Sequence, residues 1–162
     1  MKVVKKIQLE EAWFAAGCFW HVEKTFFEMP GVISTRVGYS GGNTKNPKYQ
    51  DVCTGMTGHA ETVKVVYDPR KVSYEQLLKV FWEEHDPTQL NRQGPDVGSQ
   101  YRSVIFYHTS KQKKIAEASK KDEQKKIGKN IVTDIISADI FYDAEEYHQH
   151  YLKKKGLNAC SL

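Results

Sequence analysis

Apolar positions along the chain follow two spacings, the alternation typical of strands and the three-to-four-residue recurrence typical of helices. An apolar run at 12–16 predicts a buried strand. From Phe19 the apolar side chains recur at helical spacing until Pro30-Gly31, which predicts a helix between these points. Cys18 is therefore predicted in the first turn of a helix, directly after a strand.

Similar patterns divide the rest of the chain. Further strands are predicted at 31–39, 60–67, 100–107 and 131–138. Further helices are predicted from a capping box at Ser73 to Asp86-Pro87, over 110–129 with Ile115, Ala118 and Ile127 inward, and from 143 to 155 with Gly156 ending it. Segments 38–59 and 88–99 are rich in turn-forming residues and are predicted to be irregular.

This order of elements predicts an α+β fold in which helices pack on a mixed sheet, with a split β-α-β, ferredoxin-like core. A length of 162 residues fits one catalytic domain spanning 1–162. Residues 156–162 are expected to form a flexible C-terminal tail.

Composition narrows the functional classes. The net charge of +4 is too small to predict nucleic-acid binding by itself. No apolar run is long enough to cross a bilayer or to act as an export signal, so we expect a cytoplasmic protein without membrane contacts. Three irregularly spaced cysteines predict neither a disulfide framework nor a zinc site, and they fit a reducing compartment.

Cys18 is the first candidate for chemistry. At a helix start, unpaired backbone N–H groups and the helix dipole favour a thiolate, and Phe19 and Trp20 add an apolar wall. A buried structural cysteine is the simpler alternative. A cysteine-histidine acyl hydrolase is another, because His59, His85 or His108 would serve as a base.

Other features of the sequence suggest alternative functions. The lysine-rich stretch 110–129 suggests an RNA-binding module, although a solvated helix face explains it as well. The glycines of 38–42 match no phosphate-binding pattern. Glu145 and His148, like Glu146 and His150, have helical spacing, but the two histidines point to different faces, so no metal is expected.

An ordered set of short motifs runs from about Ala12 to Tyr151. The set comprises GCFW (17–20), GYSGG (38–42), NPKY (46–49), VCTG (52–55), TGHAE (57–61), YDP (67–69), FW (81–82), HDPT (85–88), RQG (92–94) and DVGSQYRS (96–103). Together these motifs resemble the A-type peptide methionine sulfoxide reductases. His21 stands where that family usually has glycine.

The resemblance implies the reduction of methionine S-sulfoxide, free or in proteins, and hence repair of oxidised proteins. It implies that Cys18 attacks the sulfoxide sulfur and becomes a sulfenic acid. Phe19 and Trp20 would hold the methyl group, and Glu61 would protonate the departing oxygen. That role needs a buried carboxyl with a raised pKa.

The resemblance assigns three further residues and a recycling route. Tyr49 and Tyr101 would donate hydrogen bonds to the sulfoxide oxygen, with Asp96 as a supporting carboxylate. Cys160 would resolve the sulfenic acid as a disulfide, for thioredoxin to reduce. The five residues from Gly156 to Cys160 reach roughly 17 Å when extended, which is enough for Cys160 to approach a site near the helix end. Cys53 is taken as structural, with a resolving role as the alternative. We expect a monomer with no cofactor.

Overall fold

The architecture comes from a computed structural model of the chain that describes residues 6–156. Its strands are β1 (Glu10–Ala16), β2 (Val32–Ser40), β3 (Ala60–Tyr67), β4 (Arg92–Gln93), β5 (Asp96–Val97), β6 (Ser103–Tyr107), β7 (Asp134–Ser137) and β8 (Tyr142–Asp143). Its α-helices are α1 (Phe19–Phe27), α2 (Tyr49–Cys53), α3 (Tyr74–Glu84), α4 (Ser110–Ile127) and α5 (Tyr151–Lys155).

The main sheet has the strand order β7-β6-β1-β3-β2-β8, and β4 pairs with β5 in a separate hairpin. β3 lies between β1 and β2 and runs antiparallel to both, so β1-α1-β2 is a split β-α-β unit. β1 lies between β3 and β6 in the same way, which makes β3-α3-β6 a second unit. β7 runs parallel to β6. The predicted α+β class, mixed sheet and split β-α-β core are confirmed.

The core fills the space between the sheet and the helices. Phe14 of β1 is fully buried, and its ring stacks against Phe26 of α1 at 5.0 Å and against Phe81 of α3 at 5.2 Å. The predicted capping box begins α3: the Gln76 amide donates to Ser73 Oγ at 3.1 Å, and the Ser73 amide donates to Gln76 Oε1 at 2.8 Å. The core therefore holds α1 in a fixed orientation on β1, with Cys18 between them.

Four predictions about local structure are wrong. Segment 38–59 contains α2, and segment 88–99 contains the hairpin of β4 and β5, so neither is irregular throughout. Tyr101 belongs to a 3-10 turn, Ser99–Tyr101, and the predicted strand begins only at Ser103. Ala118 of α4 is predicted to point inward but is exposed, and Ala116 is buried instead.

The predicted helix over 143–155 is also broken into parts. Tyr142–Asp143 pairs with β2, Glu146–His148 forms a 3-10 turn, and only α5 is α-helical. Gln149 uses its side-chain amide to pair with both backbone groups of Val37, at 2.8 Å each, which ties the segment to the sheet. His150 then takes a φ of +52°, so the chain cannot continue as one helix.

Gly156 ends α5 in the left-handed conformation, as predicted. The tail after it, including Cys160, lies outside the described residues. Between residues 6 and 156, every helix is too short or too polar to cross a membrane.

Candidate active site

Cys18 lies where β1 turns into α1, at the N-cap of the helix. Gly17 makes this turn with a φ of +96°, and a Cβ at that position would lie 2.9 Å from the side chain of Gln93. The predicted position of Cys18 at a helix start is confirmed. The residue as a whole is partly exposed.

The prediction that Cys18 ionises easily is wrong, because other effects outweigh those of the helix start. Burial and the negative charge of Glu61 raise the pKa of the Cys18 thiol to about 12. Backbone N–H groups of Trp20 and His21 favour the thiolate, as expected at a helix start, but they are outweighed. Cys18 is therefore mostly a protonated thiol near neutral pH.

Glu61 is the second residue of β3 and only 2% of its surface is exposed. Its Oε1 accepts a hydrogen bond from the backbone N–H of Phe19 at 3.2 Å. Its Oε2 is buried and finds no hydrogen-bond partner in residues 6–156. Burial raises the Glu61 pKa to about 8, with the charge of Asp96 adding to it and the Phe19 N–H opposing it. The carboxyl is therefore mostly protonated at neutral pH, with one oxygen available to a ligand.

Tyr49 and Tyr101 come from separate parts of the chain and lie close to Glu61. Tyr49 begins α2, whereas Tyr101 ends the 3-10 turn before β6. Burial raises the pKa of both hydroxyls, and the charge of Glu61 raises it further. Asp96 lies in β5, and its charge raises the pKa of Tyr101, Glu61 and Cys18. Cys18 thus interacts with Glu61, Asp96 and Tyr101, whereas Tyr49 interacts with Glu61 and Tyr101. Both phenols stay protonated as hydrogen-bond donors.

An aromatic wall begins with the two residues after Cys18. Phe19 is buried and Trp20 is partly exposed. Trp20 stacks on Tyr151 of α5, with ring centroids 3.8 Å apart. Its indole N–H donates to Nδ1 of His148 at 3.0 Å, which fixes the plane of the indole.

His148 and Tyr151 are the residues of this wall that sequence reasoning missed. The spacing of His148 from Glu145 points only to metal ligation, and His148 follows Trp20 by 128 positions. The one signal in the sequence for such a residue is Trp20 itself, because a partly buried indole N–H needs a hydrogen-bond acceptor. No sequence spacing identifies which residue provides it.

The alternative bases for Cys18 have other partners. The ring nitrogens of His85 bond to the Phe81 carbonyl and the Ser103 hydroxyl, each at 2.7 Å. Those of His59 bond to the Gly42 amide at 3.0 Å and the Thr44 carbonyl at 2.7 Å. His108 packs edge-on against Trp13. None of the three contributes to the shifted pKa of Cys18.

Cys53 is exposed at the end of α2, beside the hydroxyl of Tyr49. Within the described part of the chain, no three His, Cys, Asp or Glu side chains cluster as metal ligands do. The chemistry available at this site is therefore that of a thiol, a carboxyl and phenols.

A thiol with a protonated carboxyl beside it, in an aromatic pocket, is the organisation of a cysteine-dependent enzyme. The family model described as peptide methionine sulfoxide reductase matches residues 10–162, which is nearly the whole chain. The chain belongs to this family, as its motifs predicted.

Individual relatives agree with the family model. The peptide methionine sulfoxide reductase MsrA of Geobacter sulfurreducens is 56% identical over 154 residues, covering 94% of this chain and 95% of the relative. Mxr1 from Saccharomyces cerevisiae in reduced form superposes with a TM-score of 0.88 at 38% identity, covering 92% and 87% of the two chains. Mxr1 in complex with Trx2 superposes with a TM-score of 0.66 at 26% identity, covering 93% and 89%.

Proposed function

We propose that this protein reduces the S epimer of methionine sulfoxide, free or within proteins, to methionine, and so repairs oxidised proteins. One observation carries the proposal. The buried carboxyl of Glu61 has an Oε2 without a hydrogen-bond partner among residues 6–156, and its Oε1 is held by the residue that follows Cys18. A nucleophilic sulfur and a proton donor are the two groups that removal of a sulfoxide oxygen requires.

The chemical step transfers one oxygen atom between two sulfur atoms. The Cys18 sulfur attacks the sulfoxide sulfur as Glu61 protonates the sulfoxide oxygen, and the oxygen then passes to Cys18. The proton of the thiol restores Glu61. The products are methionine and the sulfenic acid of Cys18, so the substrate is reduced by two electrons and the cysteine is oxidised by two.

The protonation state of Glu61 controls how easily the Cys18 thiol ionises. While Glu61 is protonated, it places no negative charge beside Cys18, and the backbone N–H groups of Trp20 and His21 then stabilise the thiolate. Tyr49 and Tyr101 donate hydrogen bonds to the sulfoxide oxygen, and Asp96 supports the protonated state of Glu61. Proton donation in the transition state is worth about 10²–10⁴-fold in rate.

Specificity comes from the aromatic wall. Phe19 and Trp20 present apolar surfaces suited to the methyl group on the sulfoxide sulfur. Because Trp20 is fixed by Tyr151 and His148, the pocket has one shape before the substrate binds. A site that orders methyl group, oxygen and sulfur around Cys18 admits one sulfoxide epimer.

Recycling completes the reaction. The thiol of Cys160 attacks the Cys18 sulfenic acid, which releases water and forms a disulfide. We propose that thioredoxin then reduces this disulfide; the yeast relative Mxr1 has been crystallised with Trx2, which supports this route. Cys53 is the alternative resolving thiol. We further propose that the enzyme acts as a monomer in the cytoplasm, where reduced thioredoxin is available.

The test is turnover of the two separated sulfoxide epimers, with thioredoxin and with dithiothreitol as reductants. The S epimer should be reduced with both, the R epimer with neither, and Cys18→Ser should lose all activity. Turnover by Cys18→Ser would overturn the mechanism. Release of acid from esters without sulfoxide turnover would instead indicate a hydrolase. Salt-dependent RNA binding that survives Cys18→Ser, again without sulfoxide turnover, would indicate a binding module.

A further inference from the structure

Glu145 lies outside the groups that touch the reacting atoms, and its carboxylate connects three elements around them. Oε1 accepts a hydrogen bond from the Tyr39 hydroxyl of β2 at 3.2 Å. Oε2 accepts from the backbone N–H of Tyr49, the first residue of α2, at 3.2 Å, and from the Tyr147 hydroxyl at 3.2 Å. We propose that Glu145 is a positioning residue that fixes Tyr49, and thereby its hydroxyl, for the reaction proposed above.

The segment that carries Glu145 is held firmly on the sheet. The Ala144 amide donates to the Val37 carbonyl at 3.0 Å, and Gln149 bonds to the amide and the carbonyl of the same residue. Tyr39, which donates to Oε1 of Glu145, lies two positions after Val37 in β2 and is fully buried. The carboxylate of Glu145 therefore has a fixed position relative to β2.

Glu145 is a good acceptor because it is charged. Burial opposes its ionisation, but hydrogen bonds from its own amide, the Tyr49 amide and the hydroxyls of Tyr39 and Tyr147 outweigh burial and lower its pKa. An ionised acceptor at the start of a helix also interacts favourably with the helix dipole. Hydrogen bonds to a charged acceptor are about twice as strong as neutral ones.

α2 needs such an anchor because it has only five residues. The amide of Lys48 is capped within the helix itself, by Asp51 at 2.9 Å, whereas the amide of Tyr49 is bonded to Glu145. The Tyr49 ring also packs against the ring of His148, with centroids 4.5 Å apart. His148 follows Glu145 by three residues. The first contact holds the backbone of Tyr49 and the second holds its ring, both from the same segment. Loss of Glu145 should therefore loosen the hydroxyl against the sulfoxide oxygen.

The test compares Glu145→Ala in three backgrounds, because two tyrosines donate to the same oxygen. In Tyr101→Phe, Tyr49 is the only remaining phenol, and Glu145→Ala should lower kcat with the S epimer roughly tenfold, as expected for a misplaced group. In Tyr49→Phe, the same change should cost less than about twofold, because the group that Glu145 positions is gone. In the wild type the loss should fall between these values, and Glu145→Gln should restore most of it.

Equal losses in the Tyr101→Phe and Tyr49→Phe backgrounds would overturn the proposal, as would no loss in either. Glu146→Ala is the matched control, since this neighbouring carboxylate is exposed and contacts Arg36 at the surface. It should leave kcat within about twofold in every background. Absence of sulfoxide turnover in the wild type would refute the proposed function itself, which keeps the two failures distinct.

Discussion

The backbone N–H of Phe19 donates to Oε1 of Glu61 across 3.2 Å, so the residue after Cys18 also holds the buried carboxyl. Through this bond the start of α1 fixes both the proposed nucleophile, Cys18, and the proposed proton donor, Glu61. Any movement of the helix start therefore changes their separation and the proton affinity of both groups.

The first prediction concerns hydrogen-bond donation by residue 61. Glu61→Gln keeps a donor of the same size, and we expect it to retain much more kcat than Glu61→Ala, which should lose about 10²-fold or more. Steady-state reduction of the S epimer measures both. Equal losses in the two variants would show that donation at this position does not matter.

The raised pKa of Glu61 also predicts how stability depends on pH. The carboxyl binds its proton up to about pH 8 in the folded protein but only up to about 4.5 when unfolded. The folded state therefore holds more protons between these values, and Glu61 makes the free energy of unfolding fall as pH rises through this window. The free energy of unfolding of Glu61→Gln, relative to that of the wild type, should therefore increase by a few kcal/mol from pH 5 to pH 8.5.

Urea unfolding at both pH values measures this difference. Glu117→Gln, in the exposed face of α4, is the matched control and should follow the wild type. A constant difference between Glu61→Gln and the wild type across the pH range would contradict the raised pKa.

Alkylation tests the state of the Cys18 thiol. In a Cys53→Ser, Cys160→Ser variant, iodoacetamide should react slowly at pH 7, and its rate should rise about tenfold per pH unit through pH 9, because thiolate is the reactive form. The cause is the Cys18 pKa of about 12. Adding Glu61→Gln removes a negative charge and should speed the reaction at pH 9. A rate that levels off below pH 8 would refute this account.

Recycling predicts a difference between the other two cysteines. With thioredoxin as reductant, Cys160→Ser should release about one methionine per enzyme, since its sulfenic acid cannot become an intramolecular disulfide. Cys53→Ser should turn over repeatedly. Counting methionine released in a single mixing experiment decides between them, and the opposite pattern would make Cys53 the resolving thiol.

Elements with strong local signals were predictable from the sequence. The alternation at 60–67 matches β3 (Ala60–Tyr67), and the Ser73 capping box begins α3. The helix after Cys18 follows from its own apolar spacing. The motifs also identified the family without any knowledge of the fold. In each case the information lies within a few neighbouring residues.

Other features depend on contacts between distant parts of the chain. Gln149 binds Val37, which prevents one continuous helix over 143–155, and no local pattern announces that pairing. Trp20 depends on His148 and Tyr49 depends on Glu145 for the same reason.

The amino-acid sequence by itself thus determined that Cys18 stands at a helix start, because helix periodicity and capping are local properties. Only the tertiary structure decided its protonation. Helix N–H groups favour the thiolate, but burial and Glu61 outweigh them, and both depend on how the folded chain excludes water from the site.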